Sequence, residues 1–323
     1  MIDSGKLKKI AKYVGYVLVV VCVIFIVKAL KDLKWQSLTI LSHPWTAVGY
    51  TLAAAVAFAV NVYISSFGWK LILEFLYGKK IAYAEIRDVY VRANVGKYLP
   101  GNVMHFAGRN MLGKKLGFSH IDMALSTIIE VITLLFTACL LSLIFAFNSV
   151  ADVVRSAFTK INPLVLIAAF IAVAAVIICA IIYVHKKGYL RKYQKLFTLS
   201  FLRIFLILFL IYGLTLLIPG FILVMIFTNI LGLTLTIHTA LLILAGSMMS
   251  WMLGYVMIGS PGGIGIKEYV LMLLLGSVCG PSPTTVAALL HRLASIIGDI
   301  IAYLVELSLS KKASHKKIEE EKP

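Results

Sequence analysis

Acidic residues are scarce: 14 Asp and Glu stand against 31 Lys and Arg, and charged residues make up only 14% of the 323. So few charges cannot solvate a globular surface of this length, and a mean hydropathy of +0.96 excludes the soluble classes. Several catalytic classes are missing their residues as well. No HExxH, paired metal carboxylates, GxSxG or Walker loop occurs. Cys22, Cys139, Cys179 and Cys279 lie in or at the end of apolar stretches without a CxxC pair, so they read as small buried hydrophobes. No polar stretch is long enough to form a soluble catalytic domain. The sequence therefore gives no reason to expect an enzyme, a metal or a cofactor. The net charge of +17 would suit a nucleic acid, but the basic residues sit in short loops between apolar runs. That is the positive-inside pattern of a membrane protein, and it excludes nucleic acid as a partner.

What is present is a series of apolar runs. Val14–Val27 follows Lys6, Lys8, Lys9 and Lys12 and precedes Lys28 without a small-x-small cleavage site, so it reads as a retained first span. Thr46–Tyr77 is the second, with Trp69 and Tyr77 suited to an interface and Lys70 and Glu74 spaced as an i,i+4 pair. Ile121–Phe147, Pro163–Val184, Ser200–Thr228 (interrupted by Pro219-Gly220) and Thr284–Leu309 complete about six full spans. A polar loop is expected up to Asn162, and Lys311–Pro323 reads as a charged, irregular tail.

Two stretches break this pattern with Pro-Gly. Ala84–Leu99 is amphipathic, with Glu85, Asp88 and Arg92 on one face and Ile86, Val89, Tyr90 and Ala93 on another. Pro100-Gly101 ends it, and a short helix over about Asn102–Leu112 follows. Farther on, the apolar run His238–Gly259 meets Ser260-Pro261-Gly262-Gly263-Ile264-Gly265, and a short helix follows over about Ile264–Val278. Read as two re-entrant hairpins, these stretches leave every strongly basic loop, and both termini, on the cytoplasmic side. The outer loops at Asn229 and Gly280 are uncharged, so they lack the acidic or His-rich groups that a phosphatase or glycosyltransferase would use. His238–Gly259 is also long enough to cross outright. The chain is thus an all-α polytopic membrane protein, one integral domain over 1–323. Its halves, about 1–150 and 151–310, each read span, span, broken hairpin, span. Pro100 and Pro261 lie 161 positions apart, and Glu130 and Arg292 lie 162 apart. Each half has an odd number of full spans, which predicts an inverted repeat, the design of many transporters.

A helix that begins at a break in mid-membrane offers free N–H groups and the positive end of its dipole to an anion. Gly101, Gly262, Gly263 and Gly265 allow a ligand close to the backbone or simply permit a tight turn. Around them stand Arg109, Lys267, Glu268 and Arg292, with Glu130 and Asp299 as structural or coupling charges. Ionisable groups in spans are expensive and are candidate functional residues by default. The competing reading is internal pairing, for instance Glu130 with Arg292. His105 and His291 read as satisfied packing residues before proton carriers.

Gly96-Lys97-Tyr98-Leu99-Pro100-Gly101-Asn102-Val103, with Phe106-Ala107-Gly108-Arg109, and Ser260-Pro261-Gly262-Gly263-Ile264-Gly265-Ile266-Lys267-Glu268 resemble the lysylphosphatidylglycerol synthase transmembrane-region family, also described as a flippase-like domain. Its second motif usually reads Pro-Gly-Gly-x-Gly-x-Arg-Glu. Lys267 here keeps the charge but loses the planar fork, and Arg292 takes the place of an arginine in the family's last motif span. Members fused to a soluble aminoacyltransferase make and translocate aminoacylated phosphatidylglycerol. These residues include no such domain, so the resemblance implies lipid translocation without aminoacyl transfer. The expected protein is a prokaryotic inner-membrane flippase for an anionic phospholipid or lipid-linked intermediate. The alternative is a non-transporting subunit that presents lipid to a separate synthase or glycosyltransferase, and a lipid-modifying enzyme is the candidate protein partner.

Overall fold

The computed structural model describes residues 44–99, 103–160, 198–257 and 261–320. Val14–Val27, Pro163–Val184, Cys22, Cys179 and the break residues Pro100, Gly101 and Ser260 lie outside the described residues. In chain order the helices are α1 (Pro44–Tyr77), α2 (Tyr83–Asn94), α3 (Met104–Lys115), α4 (His120–Lys160), α5 (Leu199–Met225), α6 (Ile237–Val256), α7 (Ile266–Leu275) and α8 (Pro281–Glu320). No strand occurs among the described residues.

Five helices are long and apolar enough to cross a membrane: α1, α4, α5, α6 and α8. Four of them match the expected spans to within three residues. The fifth, α6, stands where the first limb of the second hairpin was expected. The long helices leave apolar stripes uncovered at helical spacing. On α1 these are Val48, Leu52, Val56 and Val60, and on α4 Ile128, Ile132, Phe136, Leu140 and Ile144. Water would not tolerate such continuous stripes, whereas hydrocarbon does. The chain is an integral membrane protein. Its helix α6 differs from the others, because Leu242 through Ser250 are buried on every side. An all-round apolar helix belongs in the middle of the bundle.

Helices α1 and α8 form the most extensive helix pair among the described residues. Small residues let their backbones touch. A Cβ on Gly298 would stand 2.6 Å from the Ala55 carbonyl oxygen and 2.5 Å from Phe58 Cβ. The amphipathic helix α2 buries Ile86, Val89, Tyr90 and Ala93, as its pattern predicts. Its polar residues run antiparallel along α8. Ser310 Oγ donates to Asp88 at 2.7 Å, Arg87 pairs with Glu306 at 2.8 Å, and Asn94 donates to Asp299 at 2.8 Å. Asp88 also pairs with Arg92 at 3.2 Å, and Lys70 pairs with Glu74 at 2.8 Å as expected.

The two breaks come together. Helix α2 ends in a 3-10 turn, Val95–Tyr98, and a second such turn, Pro261–Gly263, leads to α7. Gly262 has φ +61° and Gly263 φ +76°, which side-chain-bearing residues rarely adopt. The Tyr98 ring lies 3.2 Å from where a Cβ on Gly262 would stand.

Other expectations are corrected. Trp69 is not at an interface. It is fully buried, and its indole N–H donates to Ser126 Oγ at 3.1 Å, so its polar edge is satisfied inside. Residues 148–160 are helical, not a loop, because α4 bends at Ala146 (φ −152°, ψ 54°) and then continues to Lys160. No Gly or Pro stands between Phe147 and Asn162 to stop it. Lys311–Glu320 likewise continues α8, since Lys, Ala and Glu readily extend a helix that is already nucleated. Pro219 does not interrupt α5. Proline lacks the N–H that would serve the Thr215 carbonyl, and Asn61 Nδ2 takes over that role at 3.0 Å. Cys279 is buried as expected, whereas Cys139 is exposed on the bundle's outer face.

Candidate functional site

All eight helices contribute to one cavity of about 190 Å3 at the place where the two breaks meet. Six of the residues singled out from sequence line it: Arg109, Gly262, Lys267, Glu268, Arg292 and Asp299. Glu130 stands behind Arg109 as its partner. Gly263 and Gly265 shape the turn without lining the cavity, and Gly101 lies outside the described residues.

The charges are paired in two different ways. Arg109 on α3 pairs with Glu130 on α4, the two side chains 3% and 0% exposed. The guanidinium carbon lies 3.7 Å from the centre of the Tyr90 ring and 5.4 Å from that of Trp69. The Tyr90 hydroxyl donates to the other Glu130 oxygen at 2.8 Å. Arg292 on α8 pairs with Glu268 on α7 at 2.5 Å, but these side chains are 18% and 25% exposed. The second Glu268 oxygen accepts the Gly265 N–H at 2.8 Å, so this carboxylate already occupies part of the helix N-terminus that sequence offered to an anion. Glu130 and Arg292, considered as partners from sequence, each have a different partner.

Asp299 is the third node. Lys97 reaches it at 2.7 Å, the Tyr98 hydroxyl at 2.5 Å and Asn94 at 2.8 Å. The first break is thereby fastened to the last helix. Lys267 is different again. Its stem runs between Gly254 and Gly263, and a side chain at Gly254 would meet it at 2.7 Å. No carboxylate among the described residues lies within ion-pair distance of its ammonium. Four cations (Lys97, Arg109, Lys267 and Arg292) therefore face three carboxylates (Glu130, Glu268 and Asp299). Among the described residues, one positive charge is left over at the cavity wall.

Residues 13–302 match the family model described as the lysylphosphatidylglycerol synthase TM region. The chain belongs to that family. A comparison with curated proteins found no match. Family membership and the apolar helices together support a lipid-related role in a membrane.

In this member of the lysylphosphatidylglycerol synthase TM-region family, neutral polar groups complete the cavity, and most of them escaped the sequence reading. Asn61 was hidden in the apolar run of α1, although it is the one amide in that run and so carried a signal. Ser247 and Ser250 looked like ordinary small residues of a buried helix. Trp251 and Tyr255 stack at 4.7 Å and give one wall an aromatic face. His291 is a satisfied packing residue as expected. Its Nε2 donates to the Pro219 carbonyl at 3.0 Å, and its ring meets Phe58 edge-on at 5.1 Å. His105 is not satisfied: it is 3% exposed, and neither ring nitrogen has a hydrogen-bond partner among the described residues.

Proposed function

We propose that this chain moves an anionic phospholipid, or a lipid-linked intermediate bearing phosphate, across the cytoplasmic membrane without changing it chemically. The observation that carries this reading is the cation without a carboxylate among the described residues: Lys267 lines a cavity whose other cations are already matched by carboxylates. An uncompensated charge in such a place is costly unless an anion visits it. A headgroup phosphate would sit at Lys267 and draw Arg292 from Glu268, whose pair is open enough to exchange. Gly262 allows the headgroup close to the backbone, and Glu268 keeps its bond to Gly265 throughout. The acyl or prenyl tails stay in hydrocarbon along the exposed apolar stripes.

The reading includes two re-entrant broken hairpins in halves related as an inverted repeat, with both termini cytoplasmic. The packing of one half against the other supports the pairing of the halves. Helix α2 of the first half lies on α8 of the second, and α6 of the second half lies on α4 of the first. The short helix after each break is tied by an ion pair to the last long helix of its own half. Alternating exposure of the cavity would then be a rocking of one half against the other.

The test is transbilayer movement of headgroup-labelled lipids in proteoliposomes of the purified protein, comparing phosphatidylglycerol, a polyprenyl phosphate and phosphatidylcholine. Movement of an anionic lipid above the protein-free rate, without movement of phosphatidylcholine, is expected. A folded protein that moves none of them contradicts the reading and favours the subunit that presents lipid to an enzyme.

A further inference from the structure

His105 is a buried titratable group that movement of a lipid past Lys267 leaves unused. It is 3% exposed and lines the cavity, and neither ring nitrogen has a hydrogen-bond partner among the described residues. Its place is fixed by packing. A Cβ on Gly96 would stand 2.9 Å from the His105 backbone nitrogen, so the turn at the first break lies against this end of α3. The ring is flanked by Phe106, with 3.8 Å between centroids, and by Tyr255 on α6 at 6.0 Å. Lys97 at the first break and Arg109 on α3 are the charges that bear on it. The carboxylates on the neighbouring elements are engaged elsewhere. Glu130 on α4 is held by Arg109 and by the Tyr90 hydroxyl of α2. Asp299 on α8 is held by Lys97, Tyr98 and Asn94, and Glu268 on α7 by Arg292 and the Gly265 N–H. The other histidine on the cavity, His291, is tied to the Pro219 carbonyl.

An imidazole in this setting changes state with its ligand. A buried imidazolium between two cations and without an acceptor is costly, so the ring is neutral while no anion is bound. A neutral imidazole has one donor and one acceptor nitrogen. Ionised phosphate oxygens only accept, so they serve both nitrogens only when both carry protons. The arriving anion also supplies the negative charge that a protonated ring needs nearby. We propose that His105 takes a proton from water when an anionic headgroup enters and returns it to water on the other side, so that lipid and proton cross together. The proton binds the free lone pair of the imidazole and later leaves it, and no other bond changes. The charge pattern agrees with such coupling. Among the described residues the site holds four cations and three carboxylates. A headgroup with one negative charge brings the sum to zero, and the proton restores it to plus one. The loaded and empty forms then cross with the same charge, so the exchange responds to a pH gradient and not to a membrane potential. This inference rests on the transporter reading and adds its driving force.

The experiment uses proteoliposomes of the full-length protein with a trace of headgroup-labelled phosphatidylglycerol. Either a pH gradient or a potassium-diffusion potential is imposed, and protein-free vesicles give the baseline. One pH unit should concentrate the label in the leaflet facing the alkaline side, up to about tenfold for one proton per lipid. The potential alone should leave the label evenly spread. H105Q and H105N keep a polar side chain that cannot take the proton, and either one that folds serves. In them the two responses should exchange, the potential now distributing the label and the pH gradient no longer doing so. Slower movement with the pH response intact in a folded variant would show a packing role and overturn the inference. Label that follows the potential and ignores the pH gradient in the wild type also overturns it, and leaves the transporter reading standing. No movement above the baseline by folded wild-type protein overturns both.

Discussion

The two broken regions carry the same kind of ion pair with the signs exchanged. After the first break, an arginine on the short helix meets a glutamate on the long one, Arg109 with Glu130. After the second, a glutamate on the short helix meets an arginine on the long one, Glu268 with Arg292. What separates them is burial. The first pair is sealed beneath Tyr90 and Trp69, and each of its charged ends is fixed by a ring or a hydroxyl. The second opens onto the cavity, beside a lysine with no carboxylate of its own among the described residues. A sealed pair holds a fold in place, because neither partner has anywhere else to go. An open pair can exchange one partner for a ligand. The limbs differ in the same sense. Helices α2 and α3 have 12 residues each, whereas α6 has 20 and α7 has 10. One break is built from two short limbs, α2 fastened to α8 and α3 to α4, the other from a helix buried on every side over 242–250 and a short one that carries Lys267 and Glu268.

The comparison can be broken most severely at the sealed pair. R109A leaves Glu130 charged and buried, and the loss of stability should be about 3–5 kcal/mol. Thermal unfolding in detergent would show it, and a fall in melting temperature no larger than that of R292A would mean that the first pair is not the lock. A middle-sized effect is expected from G263A. A Cβ there would meet the Gly254 backbone at 3.0 Å and Lys267 Cε at 2.8 Å, on a residue with φ +76°. The cost should be about 1–3 kcal/mol, with anionic-lipid movement slowed because the lysine is displaced. Wild-type transport in a protein of wild-type stability would show that the turn tolerates a side chain and that the slot is looser than described. The smallest effect on stability belongs to R292A. Its pair is part-exposed, so the loss should stay within about 1 kcal/mol, yet transport should fall on the order of tenfold or more. Large destabilisation with normal specific transport would reverse the roles given to the two pairs.

Much of this contrast could not be read from the sequence. The spans α1, α4, α5 and α8 were legible because long apolar runs declare themselves, and so was α2, whose buried face follows a helical period. The two Pro-Gly breaks and the charged residues around them were also visible, and six of those residues do line one cavity. Which charge pairs with which was not legible. Arg109, Glu130, Glu268 and Arg292 allow several matchings, and only the packing of α3 on α4 and of α7 on α8 selects one. Nor could burial be read. Trp69 looks like an interface residue until Tyr90 and Ser126 are seen around it. His105 looks like a packing residue until its two nitrogens are found without partners among the described residues. The helical continuations after Phe147 and Ser310 were not legible either, because polar residues there look like stop signals, yet neither stretch contains a Gly or Pro.

Lys267 is where the account is most exposed. The most direct measurement is the ratio of phosphatidylglycerol to phosphatidylcholine movement in proteoliposomes containing wild-type protein or K267Q, with reconstituted protein and melting temperature matched. The account predicts that the substitution removes the surplus charge, so the preference for the anionic lipid collapses toward one while the protein stays folded and inserted. An unchanged preference in a folded K267Q protein would contradict it, because the cavity would then be selecting its lipid by something other than its one unmatched cation.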